Sequence, residues 1–75
     1  MDVKLPMLKA RDIIRVFNLL GFKKIRQKGS HIFFEHVDGR TTLVPSHAGE
    51  DISRGLLRQI LKEIELTPEE FSKYL

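Results

Sequence analysis

Lys28-Gly29-Ser30-His31-Ile32-Phe33-Phe34 is the stretch whose reading decides the fold. A turn dipeptide, Gly29-Ser30, stands directly before an apolar run, and Asp38-Gly39 follows beyond it. Glycine takes a positive φ cheaply, so Gly29-Ser30 predicts a tight turn. Asp-Gly between extended segments predicts a hairpin. Residues 31–37 therefore read as a strand between two chain reversals. Upstream, residues 22–28 read as a strand, with Phe22, Lys24, Arg26 and Lys28 on one parity and Ile25 on the other. Downstream, a third strand covers residues 40–44. Pro45 stops it, because proline has no N–H to give to a ladder, and a polar loop follows over residues 46–51.

Two helical patterns flank these strands. Ile13, Val16, Phe17 and Leu20 recur at helical spacing, with Arg11, Asp12, Arg15 and Asn18 on the other side. This helix starts near Lys9 or Ala10, and Gly21 is placed to end it in a left-handed cap. Ile52, Leu56, Ile60 and Ile64, with Leu57 and Leu61, predict a second helix over residues 53–65. Gly55 near its start costs roughly 1 kcal/mol against alanine, which suggests the close approach of another backbone or a ligand. Thr67-Pro68-Glu69-Glu70 is a helix start: Thr67 caps, Pro68 is the first helical residue and Glu70 is the reciprocal acid. Phe71 and Leu75 are expected to fold this short helix back on the core. The order α-β-β-β-α plus a short C-terminal helix predicts an α+β domain, with helices on one face of a three-stranded antiparallel sheet.

The chain has 75 residues and no cysteine, so one small domain is expected, braced by neither disulfides nor thiolate metal sites. Nothing approaches the ~20 apolar residues of a membrane span. Residues 1–6 hold no apolar run of the signal-peptide kind, so a cytoplasmic protein without a membrane partner is expected. The net charge is +3 and unevenly placed. Residues 22–47 carry five basic and two acidic side chains, and residues 48–75 carry four and six. That distribution points towards a polyanion. The cations Lys24, Arg26 and Lys28 read equally well as guards of an exposed sheet edge and as a phosphate-binding row.

Of the three histidines, His31 and His36 are five apart and project from opposite faces of a regular strand. His36 sides with Ile32 and Phe34, which are expected to face the helices, and so is structural or peripheral. The hairpin returns His47 towards His31. A two-residue loop sets His31 opposite Ser46, and a three-residue loop ending in Gly39 sets it opposite Pro45. In either register Ser46 and His47 end beside Gly29-Ser30. An ordinary imidazole titrates near ~6.5, suited to proton transfer at neutral pH. Two histidines with distant acids give no metal-ligand pattern, so no metal and no cofactor is expected. Neither a phosphate-cradling glycine loop nor a nucleophile elbow is present. RNA cleavage asks for less, because the 2′-hydroxyl is itself the nucleophile. His31 is then the acid–base residue, with Lys28 and the Gly29 or Ser30 amides as charge stabilisers.

The ordered blocks Gly21-Phe22, Arg26-Gln27-Lys28-Gly29-Ser30-His31 with Phe34, His36 to Arg40, Val44-Pro45 with His47, Leu57-Arg58, Ile60-Leu61 and Leu66 to Phe71 closely resemble the HicA family of toxin endoribonucleases. The resemblance implies a fold similar to a double-stranded-RNA-binding domain. It also implies metal-independent cleavage of mRNA by the histidine of the Gly-Ser-His motif, here His31. A HicB-type antitoxin covering His31 is the implied partner, with operator DNA bound only through the toxin–antitoxin complex. The expected single-stranded RNA contacts are Lys24, Arg26, Lys28, Gly29, Ser30, Ser46 and His47. Many relatives carry a second histidine directly after the catalytic one; here Ile32 occupies that place. Because Ile32 faces away from His31, the change bears on packing more than on chemistry. Two other readings fit the residues: a non-catalytic RNA-binding module using the same basic corner, and a protein-interaction domain using the Phe33 side of the sheet or the acidic helices.

Overall fold

A computed structural model describes residues 5–47 and 49–75. Residues 1–4, which bear on the expected lack of a leader, and Ala48 of the polar loop lie outside the described residues. The chain forms β1 (Leu8–Lys9), α1 (Ala10–Leu20), β2 (Phe22–Lys28), β3 (His31–His36), β4 (Thr41–Pro45), β5 (Asp51–Ile52), α2 (Arg54–Glu63) and α3 (Pro68–Ser72). The antiparallel sheet has the order β2-β3-β4, and β1 and β5 make a separate two-stranded pair. The α+β class and the α-β-β-β-α order are as expected. Among the described residues, no helix is long and apolar enough to cross a membrane.

One face of the sheet is dry. Ile32, Phe34 and Val44 join Ile13, Val16 and Phe17 of α1, Leu57, Ile60 and Leu61 of α2, and Phe71 of α3 in a single core. Phe17 is its centre, with ring centroids 5.0 Å from Phe22 and 5.3 Å from Phe34, the latter edge-on. Thr42, on the same face, donates its hydroxyl to Glu63 at 3.2 Å. Among the described residues, no helix lies over the opposite face, which carries His31, Phe33, Glu35, Thr41, Leu43 and Pro45.

The helix boundaries have local causes. Gly21 ends α1 at φ 94, its N–H reaching the carbonyls of Phe17 and Asn18. Ser53 caps α2 by accepting from Leu56 N at 3.2 Å. Thr67 and Glu70 form the expected reciprocal pair, each side chain 3.1 Å from the other's amide nitrogen.

Several expectations are corrected. Helix α2 stops two residues short of Glu65, which takes φ 57. Leu66 N then reaches Leu61 O at 2.9 Å and Glu65 N reaches Lys62 O at 3.2 Å, a Schellman closure with glutamate where glycine is usual. Ile52 belongs to β5 rather than to the helix, and pairs with Leu8. Leu75 is 44% exposed, so Phe71 alone anchors α3. A Cβ at Gly55 would meet nothing within 4 Å, so no close approach within this chain accounts for that glycine.

Candidate active site

The hairpin register is set at Asp38-Gly39. His36 N donates to Arg40 O and Gly39 N to His36 O, both at 2.9 Å, with Gly39 at φ 97. The loop is therefore three residues long, and His31 pairs with Pro45. His36–Arg40 and Ser30–Ser46 (Ser46 N to Ser30 O, 2.7 Å) are joined by ladder bonds. By alternation His31–Pro45 is a non-hydrogen-bonded pair, in which side chains lie closer. Pro45 therefore does not stop the strand as expected: it lies within β4, its nitrogen facing away from β3 on an edge strand, where its missing N–H costs no ladder bond. On the other side, Lys28 pairs with His31 across Gly29-Ser30, with Gly29 at φ 60. Glycine at the first central position with positive φ is the type II′ arrangement, whose twist matches the flanking strands.

His31 is exposed, and among the described residues no hydrogen bond or ion pair engages its ring. Lys28 stands beside it on the same face. Arg26 also shares that face: it pairs with Phe33, and its guanidinium carbon lies 4.4 Å from the Phe33 ring centroid.

The three-cation row is corrected. The β2–β3 register shifts between Lys24 and Arg26, where Ile25 is an extra, bulged residue. Lys24 consequently pairs with Phe34 on the helix-facing side, while Arg26 and Lys28 pair with Phe33 and His31 on the open side. The Lys24 ammonium donates instead to Gln27 Oε1 at 2.9 Å, and Gln27 opposes the buried Ile32. Nothing in the spacing marks the bulge: Phe22 and Ile25, three apart, fall on opposite parities in a regular strand too.

The remaining corner residues share the end of the sheet with His31 but not its face. His47 Nε2 is 3.4 Å from Ser30 Oγ. His47 lines one hollow with Ser46, Lys9, Ala10 and Arg11, at the start of α1, and a second with Ile52, Ser53 and Leu56, at the start of α2. Gly29 O accepts from Gln27 Nε2 at 3.0 Å, which steadies the turn. Lys9 and Arg11 were not anticipated here, because the β1–β5 pairing that positions them joins distant parts of the chain. Lys9 is tied to Asp51 at 3.0 Å.

His36 is structural, as its parity implied. Its Nε2 donates to Leu20 O at 3.0 Å and its Nδ1 lies 3.2 Å from Asp38 N. The ring packs edge-on against Phe22 at 5.0 Å. Asp38 accepts from Arg40 N and Nε at 3.1 and 2.8 Å, and the Arg40 amide bond foremost holds its carboxyl below the usual aspartate range. Arg40 Nη1 in turn donates to Ile64 O at 2.7 Å, satisfying a carbonyl at the end of α2.

Among the described residues, no three His, Asp or Glu side chains gather as a metal-holding group. A comparison with curated proteins finds no match for the chain. The family described as the HicA toxin of bacterial toxin–antitoxin systems matches residues 10–66, a span that includes the sheet, the Gly29-Ser30 turn and His31. The chain belongs to the HicA toxin family.

Proposed function

We propose that this protein is an mRNA-cleaving endoribonuclease, the toxin of a toxin–antitoxin pair, working without a metal ion through His31. The observation that carries the reading is the free, exposed imidazole of His31 beside Lys28, on a face shared with Arg26. In the reaction, the imidazole accepts the proton of an RNA 2′-hydroxyl as its oxygen attacks the adjacent phosphorus. The bond to the 5′-oxygen breaks, and a proton returns to that oxygen. The products are a 2′,3′-cyclic phosphate and a 5′-hydroxyl. The Lys28 ammonium and the amides of the Gly29-Ser30 turn offset charge on the phosphorane. The architecture, with helices on one face of a three-stranded antiparallel sheet, is of the double-stranded-RNA-binding-domain type.

A HicB-type antitoxin is the proposed partner, covering His31, with operator DNA engaged only by the pair. Ser30, Ser46 and His47 are proposed to hold a flanking phosphate at the turn. The test is incubation of wild type and His31→Ala with RNA in chelator, followed by analysis of the product ends. Wild type should give cyclic phosphate ends, and the variant none. Equal cleavage by the two proteins would overturn the assignment. One observation favours a second reading: His47 lies towards the helix side, so no other histidine shares the face of His31. A non-catalytic RNA-binding module predicts RNA affinity with no cleavage products from either protein.

A further inference from the structure

We infer that the Arg26–Phe33 stack, with Ile25 and Leu43 beside it, is a nucleobase-binding subsite for single-stranded RNA, next to the phosphate position at His31. The inference rests on the nuclease reading and adds where a base is held. Phe33 and His31 lie two residues apart on one strand and one face, hence ~6.8 Å apart along it. They are near enough to engage adjoining parts of one extended strand. Phe33 is half-buried and outside the core, Ile25 is 54% exposed, and Leu43 is the cross-strand partner of Phe33. With Thr41 they line a shallow hollow whose wall also includes Phe34, Thr42 and Glu63, the last already engaged by the Thr42 hydroxyl at 3.2 Å.

Arg26 gives this apolar patch its chemistry. Its guanidinium lies over the Phe33 ring, and among the described residues it pairs with no carboxylate. A planar cation backed by an aromatic ring presents its second flat side for a base to stack on, while its N–H edge remains available to a phosphate. Lys28 extends the positive charge to His31, and Lys23 extends it towards the other end. Glu35 is the one carboxylate of β3 on this face, and it lies opposite Lys23 and Thr41. A polyanion carrying flat apolar groups is the partner that matches both properties.

The experiment measures binding of a mixed-sequence 2′-O-methyl RNA, which lacks the nucleophile, carrying single 2-aminopurine substitutions that report stacking by fluorescence quenching. Wild type is compared with Phe33→Leu, which keeps apolar cover, and with Arg26→Lys, which keeps charge and loses the plane. Both variants should lose the quench and weaken binding by roughly 5- to 150-fold, with the salt slope retained. The two substitutions test the stack independently should either disturb folding. Wild-type affinity and quench in both variants, while wild type still cleaves natural RNA, would overturn the subsite and leave the nuclease reading standing. A wild type that neither binds nor cleaves RNA would overturn both. Variants that bind RNA normally but lose a protein partner would make this face a protein interface and overturn the subsite.

Discussion

His36 and His31 lie on the same strand and end in opposite circumstances. At the hairpin end, His36 joins the last carbonyl of α1 to the Asp38 turn and packs on Phe22, while Arg40 joins Asp38 to the end of α2. The side chains of His36, Asp38 and Arg40 there are all held by hydrogen bonds within the fold. At the Gly29-Ser30 end, His31 is exposed with a ring that, among the described residues, has no partner, next to cations that pair with no carboxylate there. The core covers the face that His36 occupies and leaves the face of His31 open. On the proposed function, a small domain that must hold its helices and also present reactive groups divides these duties between the two ends of a sheet. An imidazole saturated with partners stabilises, and one without them remains available to a substrate.

The sharpest way to break this contrast is to exchange the effects of the two histidines. His31→Ala should lower RNA cleavage at least ~100-fold, with an unfolding free energy within ~0.5 kcal/mol of wild type by urea titration. His36→Ala should do the reverse, retaining cleavage while costing about 1–3 kcal/mol, because the Leu20 carbonyl and the Asp38 amide lose a partner. Loss of activity without loss of stability in His36→Ala would abolish the division.

Two glycines extend the contrast with smaller effects. Gly21, beside His36, holds φ 94, and an added Cβ would lie 3.2 Å from His36 Nε2. Gly21→Ala should cost at least ~1 kcal/mol in denaturant midpoint terms. Gly55, near the start of α2 at the other end, faces open space in a helix, so Gly55→Ala should add up to ~1 kcal/mol. Weaker RNA cleavage by that stabilised variant would show that Gly55 serves the substrate side.

The smallest effect concerns acid. Asp38 has its folded pKa below the ordinary 3.8, chiefly through the Arg40 amide. Its contribution to stability is present above that ordinary value and is lost as pH falls through the lower folded one. Asp38→Asn should therefore flatten the acid limb of stability below pH 3.8 and leave the cleavage profile at neutral pH unchanged.

Much of this was legible because its causes are local. Gly21, Asp38-Gly39 and Thr67-Pro68-Glu70 specify caps and turns through conformations that nearby residues decide. The five-residue spacing of His31 and His36 separated them by parity alone. Less local causes were not legible. Leu8 pairs with Ile52 from far along the chain, and Glu65 turns left-handed although glutamate favours helix, because Leu66 and Arg40 close the end of α2. The site was misread at Lys24 for one reason: strict alternation was carried across Ile25.

That bulge also bears on how the chain can change in length. Lys24 and Arg26 already face consecutive residues of β3, Phe34 and Phe33. A chain lacking residue 25 would thus keep every other ladder partner of β2, and would lose only the local bend and one apolar side chain from the open face. The same one-residue loss inside Gly29-Ser30 would abolish the turn that sets Lys28 against His31. Within one strand, residue 25 can be lost with the ladder kept, at the expense of one side chain of the proposed subsite, whereas the turn four residues later cannot be shortened.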